Sequence, residues 1–137
     1  MKRLLLPLLL VVTLVAIAVA GYWFKRPAEA YAVQCADLLA GCDFTHRGSA
    51  ARVRFSMQPV ALQAFGLSVA VANTKKVSAE FQMVGMDMGF NRYDLRPAGP
   101  SEFAARITLP ICVSGRGDWM LYLDIDGTRY ALPFSTR

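Results

Sequence analysis

The hydrophobic pattern of this chain changes abruptly after residue 24. From Leu4 to Phe24 no residue is charged and most are apolar. At about 1.5 Å of rise per residue, a helix over these 21 residues covers roughly 30 Å, the thickness of the hydrocarbon core of a bilayer. We therefore predict a transmembrane helix that acts as a signal-anchor over residues 1–24.

A cleaved secretory signal peptide is the alternative for this segment. Ala18-Val19-Ala20 before Gly21 forms an A-x-A-like cleavage site, and the apolar core ahead of it has signal-peptide length. However, the apolar run continues through the aromatic segment 22–24 and ends at Lys25 and Arg26. Aromatic and basic residues in this order are typical of a membrane–water interface, which favours an uncleaved anchor.

Beyond a short linker at 25–32, apolar and polar residues alternate with a period of two, which predicts strands with one buried face. The alternating segments are 53–57, 67–71, 77–83, 103–109, 119–125 and 128–134. Asp126-Gly127, between the last two, is a strong hairpin signal, and Arg96–Pro100 predicts another turn. Short strands at this spacing predict an all-β domain over 33–137, an immunoglobulin-like antiparallel β-sandwich.

The charge pattern bounds the partners of this domain. The formal net charge is +5, spread thinly along the chain without a clustered basic stripe, so we do not expect nucleic-acid binding.

The pair Lys2-Arg3 is matched by Lys25-Arg26, so the positive-inside rule barely orients the anchor. The short N-terminal tail and the cysteines favour an outer domain. We predict a single-pass protein of the bacterial inner membrane, in contact with its lipid, with the C-terminal domain in the periplasm.

The chain has three cysteines. Cys35 and Cys42 enclose a short loop that can close as a disulfide in an oxidising compartment. Cys112 lies in an apolar stretch, where it acts as a small buried hydrophobe or, alternatively, pairs with one of the other two.

Enzyme chemistry finds little support in this sequence. The one histidine, His46, lies in the turn-like segment 43–48, where we expect it to be solvated. The carboxylates are scattered over exposed strand positions, and Asp124 and Asp126 fall on the wet face of a strand. We therefore predict a protein that is not an enzyme, and we identify no small-molecule substrate.

Methionines form the one unusual cluster. Met83, Met86 and Met88 fall within six residues, and Met86 and Met88 share one face of an extended strand. A β-bulge at Gly85 would bring Met83 to the same face. Converging thioethers select Cu(I), whereas the alternative is that they fill gaps in the core. The further ligands within the sequence are Cys112, Met57, Met120 and His46.

Two segments carry a family resemblance. Residues 86–92 match M-x-M-G-x-N-R, and residues 109–115 match L-P-x-C-x-[ST]-G. In these motifs the chain resembles a family of small bacterial single-pass envelope proteins. The resemblance implies an N-terminal anchor, a shared sandwich fold and a shared site around Met86, Met88 and Cys112. A looser similarity links the chain to Met-rich periplasmic copper carriers, although here no histidine lies near the methionines.

Our functional prediction is a non-enzymatic, membrane-anchored periplasmic accessory protein. It would bind Cu(I), or assist the assembly of a copper-using envelope complex, through the face of Met86 and Met88. The alternative is a metal-free protein-interaction module of the inner membrane whose methionines are structural.

Overall fold

The computed structural model describes residues 1–26, 29–86, 88–89, 91–111 and 115–136. This part of the chain contains one helix, α1 (Lys2–Lys25), and ten strands. The strands are β1 (Ala30–Ala32), β2 (Cys42–His46), β3 (Ser49–Phe55), β4 (Ala64–Val71), β5 (Val77–Met83), β6 (Arg92–Asp94), β7 (Arg96–Gly99), β8 (Glu102–Thr108), β9 (Asp118–Ile125) and β10 (Thr128–Ser135).

Helix α1 is long and apolar enough to span a membrane, and it is the one such helix among the described residues. None of its residues is buried against the rest of the chain. Its one internal polar side chain, Thr13, donates its hydroxyl hydrogen to the Leu9 carbonyl. Lys25 lies in the last turn, where a positive charge interacts favourably with the helix dipole.

The strands form two sheets of five that pack face to face. Sheet A has the order β1-β10-β9-β5-β6, and sheet B has the order β2-β3-β4-β8-β7. All strand pairs are antiparallel except β1 with β10. The predicted all-β antiparallel sandwich is therefore confirmed. The narrower immunoglobulin-like assignment stays a prediction, since the ten strands exceed the about seven to nine of that fold.

Alternation along the strands builds the core. In β9, the residues 119, 121, 123 and 125 are buried, while the residues between them are partly exposed. Phenylalanines join the two sheets: the Phe65 ring of β4 lies 6.3 Å from that of Phe81 in β5, and Phe55 of β3 lies 5.2 Å from Phe134 of β10. Edge-to-face aromatic pairs of this kind stabilise a small core beyond the area that they bury.

Two of the connections bear on the sequence predictions. The Asp126-Gly127 hairpin is confirmed, because Ile125 pairs with Thr128 and both turn residues have positive φ. The turn predicted at Arg96–Pro100 is confirmed only at its end, since Pro100 and Ser101 form the turn between β7 and β8. Its first four residues form the exposed edge strand β7, where a proline is tolerated because one side of the strand makes no ladder bonds.

Strand pairing and a disulfide attach the N-terminal segment of the domain to the sandwich. Strand β1 lies inside the predicted linker at 25–32 and adds to β10 through Tyr31 and its neighbours. Cys35 and Cys42 form a disulfide, with Cα atoms 5.5 Å apart, which confirms their predicted pairing. Cys112 lies outside the described residues.

Candidate functional site

The sandwich has two ends, which we call the linker pole and the apolar pole. At the linker pole, β1 begins at Ala30, the β9–β10 hairpin turns at Asp126-Gly127, and β5 starts at Val77. At the opposite end, the apolar pole, β5 ends at Met83 and β9 starts at Asp118. The predicted methionine site lies at the apolar pole.

A tight turn, not a β-bulge, shapes the methionine cluster. The Met86 N–H donates to the Met83 carbonyl at 3.2 Å, and Gly85 has a φ of +79°. Glycine at this third position is what a type II turn requires. The bulge predicted at Gly85 was therefore wrong. The turn nevertheless brings Met83 opposite Met86 as an antiparallel bridge pair, and directly paired residues place their Cβ atoms about 4.5–5.5 Å apart.

The three methionines occupy different environments. Met83 is 3% exposed and belongs to the core, whereas Met86 is 43% exposed. Met88 is partly buried and packs against the core. The flanking Asp87 lies outside the described residues, so the shared strand face of Met86 and Met88 stays a prediction.

Of the further ligands named from the sequence, Met120 and His46 lie away from these methionines. Met57 lies at the apolar pole, just after β3 ends, and is exposed. Met120 lies in β9 opposite Gln82, on the face away from the core. His46 lies in β2, whose end pairs with Ser49 at the linker pole. Among the described residues, no three His, Cys, Asp or Glu side chains are placed to hold a metal ion.

A groove of about 240 Å³ adjoins the methionine turn. It contains Met83 and Trp119, which pair across β5 and β9. Leu109 and Ile111 from the second motif segment, and Arg116 just after it, also line the groove. The second motif segment thus lies beside Met83 at this pole, although the predicted partner Cys112 lies outside the described residues.

Exposed apolar side chains concentrate at the same pole. Beyond the C-terminal end of α1, the described part of the chain has six exposed large hydrophobic side chains, and five of them lie here. The five are Met57, Leu62, Val84, Met86 and Ile111. Backbone hydrogen bonds fix their loops, because Leu62 N–H donates to the Leu109 carbonyl at 2.9 Å and Val84 N–H donates to the Asp118 carbonyl at 3.1 Å.

The sequence analysis did not predict this patch, because it used the segments between strands only to mark where strands end. All five side chains lie between strands, where polar residues are usual. Four of them, Leu62, Val84, Met86 and Ile111, also lie between the alternating segments predicted from the sequence, so apolar residues in those connections were the available signal.

The patch rests on rigid aromatic packing. Trp119 stacks on Phe134 with ring centroids 6.4 Å apart, and Phe134 contacts Phe55 and Phe81 edge to face. These rings come from both sheets. The groove floor is therefore held by the core and not by the loops alone.

His46 is not the solvated side chain that the sequence predicted. It is 4% exposed, and its Nδ1 lies 2.8 Å from the Tyr130 hydroxyl across the two sheets. Burial lowers the pKa of His46 and raises the pKa of Tyr130. The expectation failed because the segment that looked like a turn is strand β2, whose inward positions include 46.

A partly buried ion network covers the outer face of sheet A. Arg129 contacts Glu80 at 2.8 Å and Asp124 at 3.4 Å, and Arg92 lies 3.9 Å from Asp124. Burial would raise the pKa of Glu80, but hydrogen bonds from Gln82 and Arg129 outweigh it and lower that pKa. These carboxylates are engaged with arginines, which is a structural arrangement and not a pair poised for acid–base work.

No known protein-family model, curated protein sequence or solved structure matches this chain. The family resemblance inferred from the two motifs therefore stays a prediction.

Proposed function

We propose that this protein is a non-enzymatic docking module anchored in the bacterial inner membrane. Its β-sandwich would lie in the periplasm and use the apolar pole to contact another envelope protein. The observation that carries this proposal is the concentration of five of the six exposed large hydrophobics at one end of the domain. Contiguous apolar surface on a small domain is typical of an interaction site.

Two features support the proposed location. Helix α1 has the length and composition of a membrane span. The Cys35–Cys42 disulfide is a bond that persists in oxidising compartments and is rare in the cytosol. An inner-membrane anchor with a periplasmic domain accounts for both features.

The tether gives the apolar pole an outward position. Five residue steps separate Lys25 from Ala30, which spans at most about 18 Å of extended chain. The linker pole must then stay near the end of α1. Strands of seven to eight residues add about 20–25 Å of length, so the apolar pole would face a partner at that height above the membrane.

Site-specific photo-crosslinking in cells tests the docking role. A photoreactive amino acid at Ile111, which is 61% exposed, is expected to give one discrete adduct with another envelope protein. The same amino acid at Thr45, exposed on the outer face of β2, is the matched control and should give none. Substituting Leu62→Glu should remove the adduct, because it places a charge in the patch.

Two results would contradict the docking role. Equal adducts from Ile111 and Thr45 would mean that contact is unspecific. An adduct formed only with a second copy of this chain would replace the partner protein with self-association.

A second candidate, Cu(I) binding, is favoured by one specific observation. The turn at Gly85 places Met83 and Met86 side by side as a bridge pair. Two thioethers at that spacing suit a soft monovalent ion.

A competition experiment decides the copper candidate. The double substitution Met83→Leu with Met86→Leu should abolish Cu(I) uptake from a chromophoric chelator, while each swap costs under about 1.5 kcal/mol of stability because volume is kept. Met120→Leu, on the outer face of β9, is the control and should bind like the parent. If the parent protein takes no Cu(I) from a weak chelator, the copper candidate is rejected and docking is the remaining proposed function.

A further inference from the structure

Sheet B carries an arginine-lined depression on the face turned away from the core, and β6 of sheet A borders it with Arg92, which is already paired with Asp124. Its floor is made of small residues, Gly66 and Ser68 from β4 and Ala104 from β8. Arg54 of β3 lies on one side, and Arg96 and Arg106 lie on the other. We call this feature the arginine trough. It joins two adjacent depressions of about 900 and 330 Å³ that share Gly66 and Ala104.

Strand register fixes the spacing of the trough. Arg54 pairs with Ser68, Ser68 with Ala104, and Ala104 with Arg96, so one row crosses four strands. At about 4.8 Å between neighbouring strands, the Cα atoms of Arg54 and Arg96 lie roughly 14 Å apart. Arg106 faces Gly66 in the next row, diagonal to Arg96, which separates those two Cα atoms by about 7–8 Å.

The floor of the trough has to be small. A Cβ on Gly66 would lie 3.1 Å from the Ser56 hydroxyl oxygen, which already accepts a hydrogen bond from the Gly66 N–H at 2.7 Å. The Ser56 side chain therefore occupies the space over Gly66, and the depression continues over the neighbouring small residues Ser68 and Ala104.

Two guanidinium groups of the trough, those of Arg96 and Arg106, are available for a ligand, whereas Arg54 donates its Nε–H to the Leu39 carbonyl at 3.2 Å. Arg96 and Arg106 are exposed, and neither forms an ion pair with another described residue. By contrast, Arg52 on the same face is paired with Asp43 at 3.6 Å. Asp94 supplies the one carboxylate among the described residues that line the larger depression.

We propose that the arginine trough binds an extended acidic peptide segment with acidic residues at alternate positions. In an extended chain, alternate side chains point to one face and are about 6.8 Å apart, which matches the diagonal spacing of Arg96 and Arg106. Each planar guanidinium can pair with a carboxylate through two parallel hydrogen bonds. The depression is shallow and open to solvent, and it crosses strands of sheet B, so it suits a polymer more than a compact ligand. Glu102, two residues before Ala104 on the same face, repels carboxylates and limits the trough at that end.

The test uses the full-length chain in nanodiscs of neutral lipid and a fluorescein-labelled hexapeptide that alternates glutamate and alanine. Fluorescence anisotropy should show saturable binding to the parent protein. The double substitution Arg96→Gln with Arg106→Gln should weaken it about tenfold or more, because two charge-assisted pairs are lost. Lys75→Gln with Lys76→Gln removes the same charge outside the trough and should leave binding within about twofold. A thermal melt of each variant checks folding.

Two further probes make the proposal falsifiable. A hexapeptide of the same composition with its three glutamates in one block should bind more weakly, since its carboxylates lack the alternate spacing. Equal binding of the two peptides, equal loss in the lysine variant, or no binding to the parent would overturn the proposal. Displacement of the peptide by lower concentrations of polyphosphate than of unlabelled peptide would also overturn it, in favour of a phosphate ligand.

Discussion

At the scale of single residues, His46 links the two sheets through one buried hydrogen bond. Its Nδ1 lies 2.8 Å from the Tyr130 hydroxyl, and the Tyr130 ring packs on Phe44 with centroids 4.8 Å apart. A protonated imidazole in this place would be poorly solvated. The folded state therefore holds His46 neutral, which connects the stability of the sandwich to pH.

We predict that the free energy of unfolding falls as the pH drops below about 6.5, the ordinary pKa of histidine. The folded pKa of His46 is lowered by burial, so below 6.5 the unfolded chain takes up a proton that the folded chain does not. Above 6.5 both states are neutral at this site and the effect vanishes.

Denaturant unfolding of the full chain in micelles on either side of pH 6.5 measures this dependence. The His46→Gln variant removes the titration, and losing the buried hydrogen bond should cost about 1–3 kcal/mol at neutral pH. Since carboxylates titrate in both proteins, the informative quantity is the difference between their pH slopes. Identical slopes would mean that His46 does not cause the acid sensitivity.

At the scale of elements, strand length decided what the sequence could predict. The strands β3, β4, β5, β8, β9 and β10 have seven or eight residues, and their alternation is long enough to recognise. The edge strands β1, β6 and β7 have three or four residues, too few for a period of two to emerge. The face of His46 could not be assigned for this reason, because β2 has five residues and resembled a turn.

Local turn chemistry set the second limit on prediction. Glycine at 85 is compatible with a bulge or with a type II turn, and only the pairing of neighbouring strands decides between them. The partner that decided it is Trp119, which pairs with Met83 and ends the β5 ladder there. The closeness of Met83 and Met86 was thus predictable, whereas its geometry depended on a contact distant in sequence.

We predict that Gly117→Ala destabilises the apolar pole. A Cβ on Gly117 would lie 2.8 Å from the Thr136 carbonyl oxygen, a backbone atom that cannot rotate away. The Thr136 N–H also donates to the Gly117 carbonyl at 2.8 Å. A displacement of Thr136 would therefore break the hydrogen bond that joins the start of β9 to the end of β10. Overpacking of this kind costs about 1–3 kcal/mol.

Thermal melting of full-length variants measures the effect, and Gly99→Ala is the matched control. A Cβ on Gly99 would meet Glu102 at 3.7 Å, an ordinary contact with a flexible side chain. Equal melting temperatures for the two variants would show that the close approach of Gly117 to Thr136 is not required.

At the scale of the whole molecule, the two proposed surfaces lie on different parts of one rigid sandwich. The apolar pole lies at the ends of strands from both sheets, whereas the arginine trough lies on the outer face of sheet B. A partner protein on the pole and an acidic segment in the trough would therefore not exclude each other. A single elongated partner would engage both surfaces only if it wrapped around the edge of sheet B.

Helix α1 gives the last prediction, because the proposed docking role assigns it to a membrane span. Washing membranes with carbonate should leave the full-length protein in the pellet, with an intact Met1 end by mass spectrometry. Substituting Val12→Arg, in the middle of α1, should release a larger soluble fraction, since a central arginine costs about 2.5–3.5 kcal/mol on the insertion scale. Val12→Leu is the control and should be retained like the parent. A soluble form that begins at Gly21 would identify the segment as a cleaved signal peptide, and the apolar pole would then belong to a freely diffusing domain.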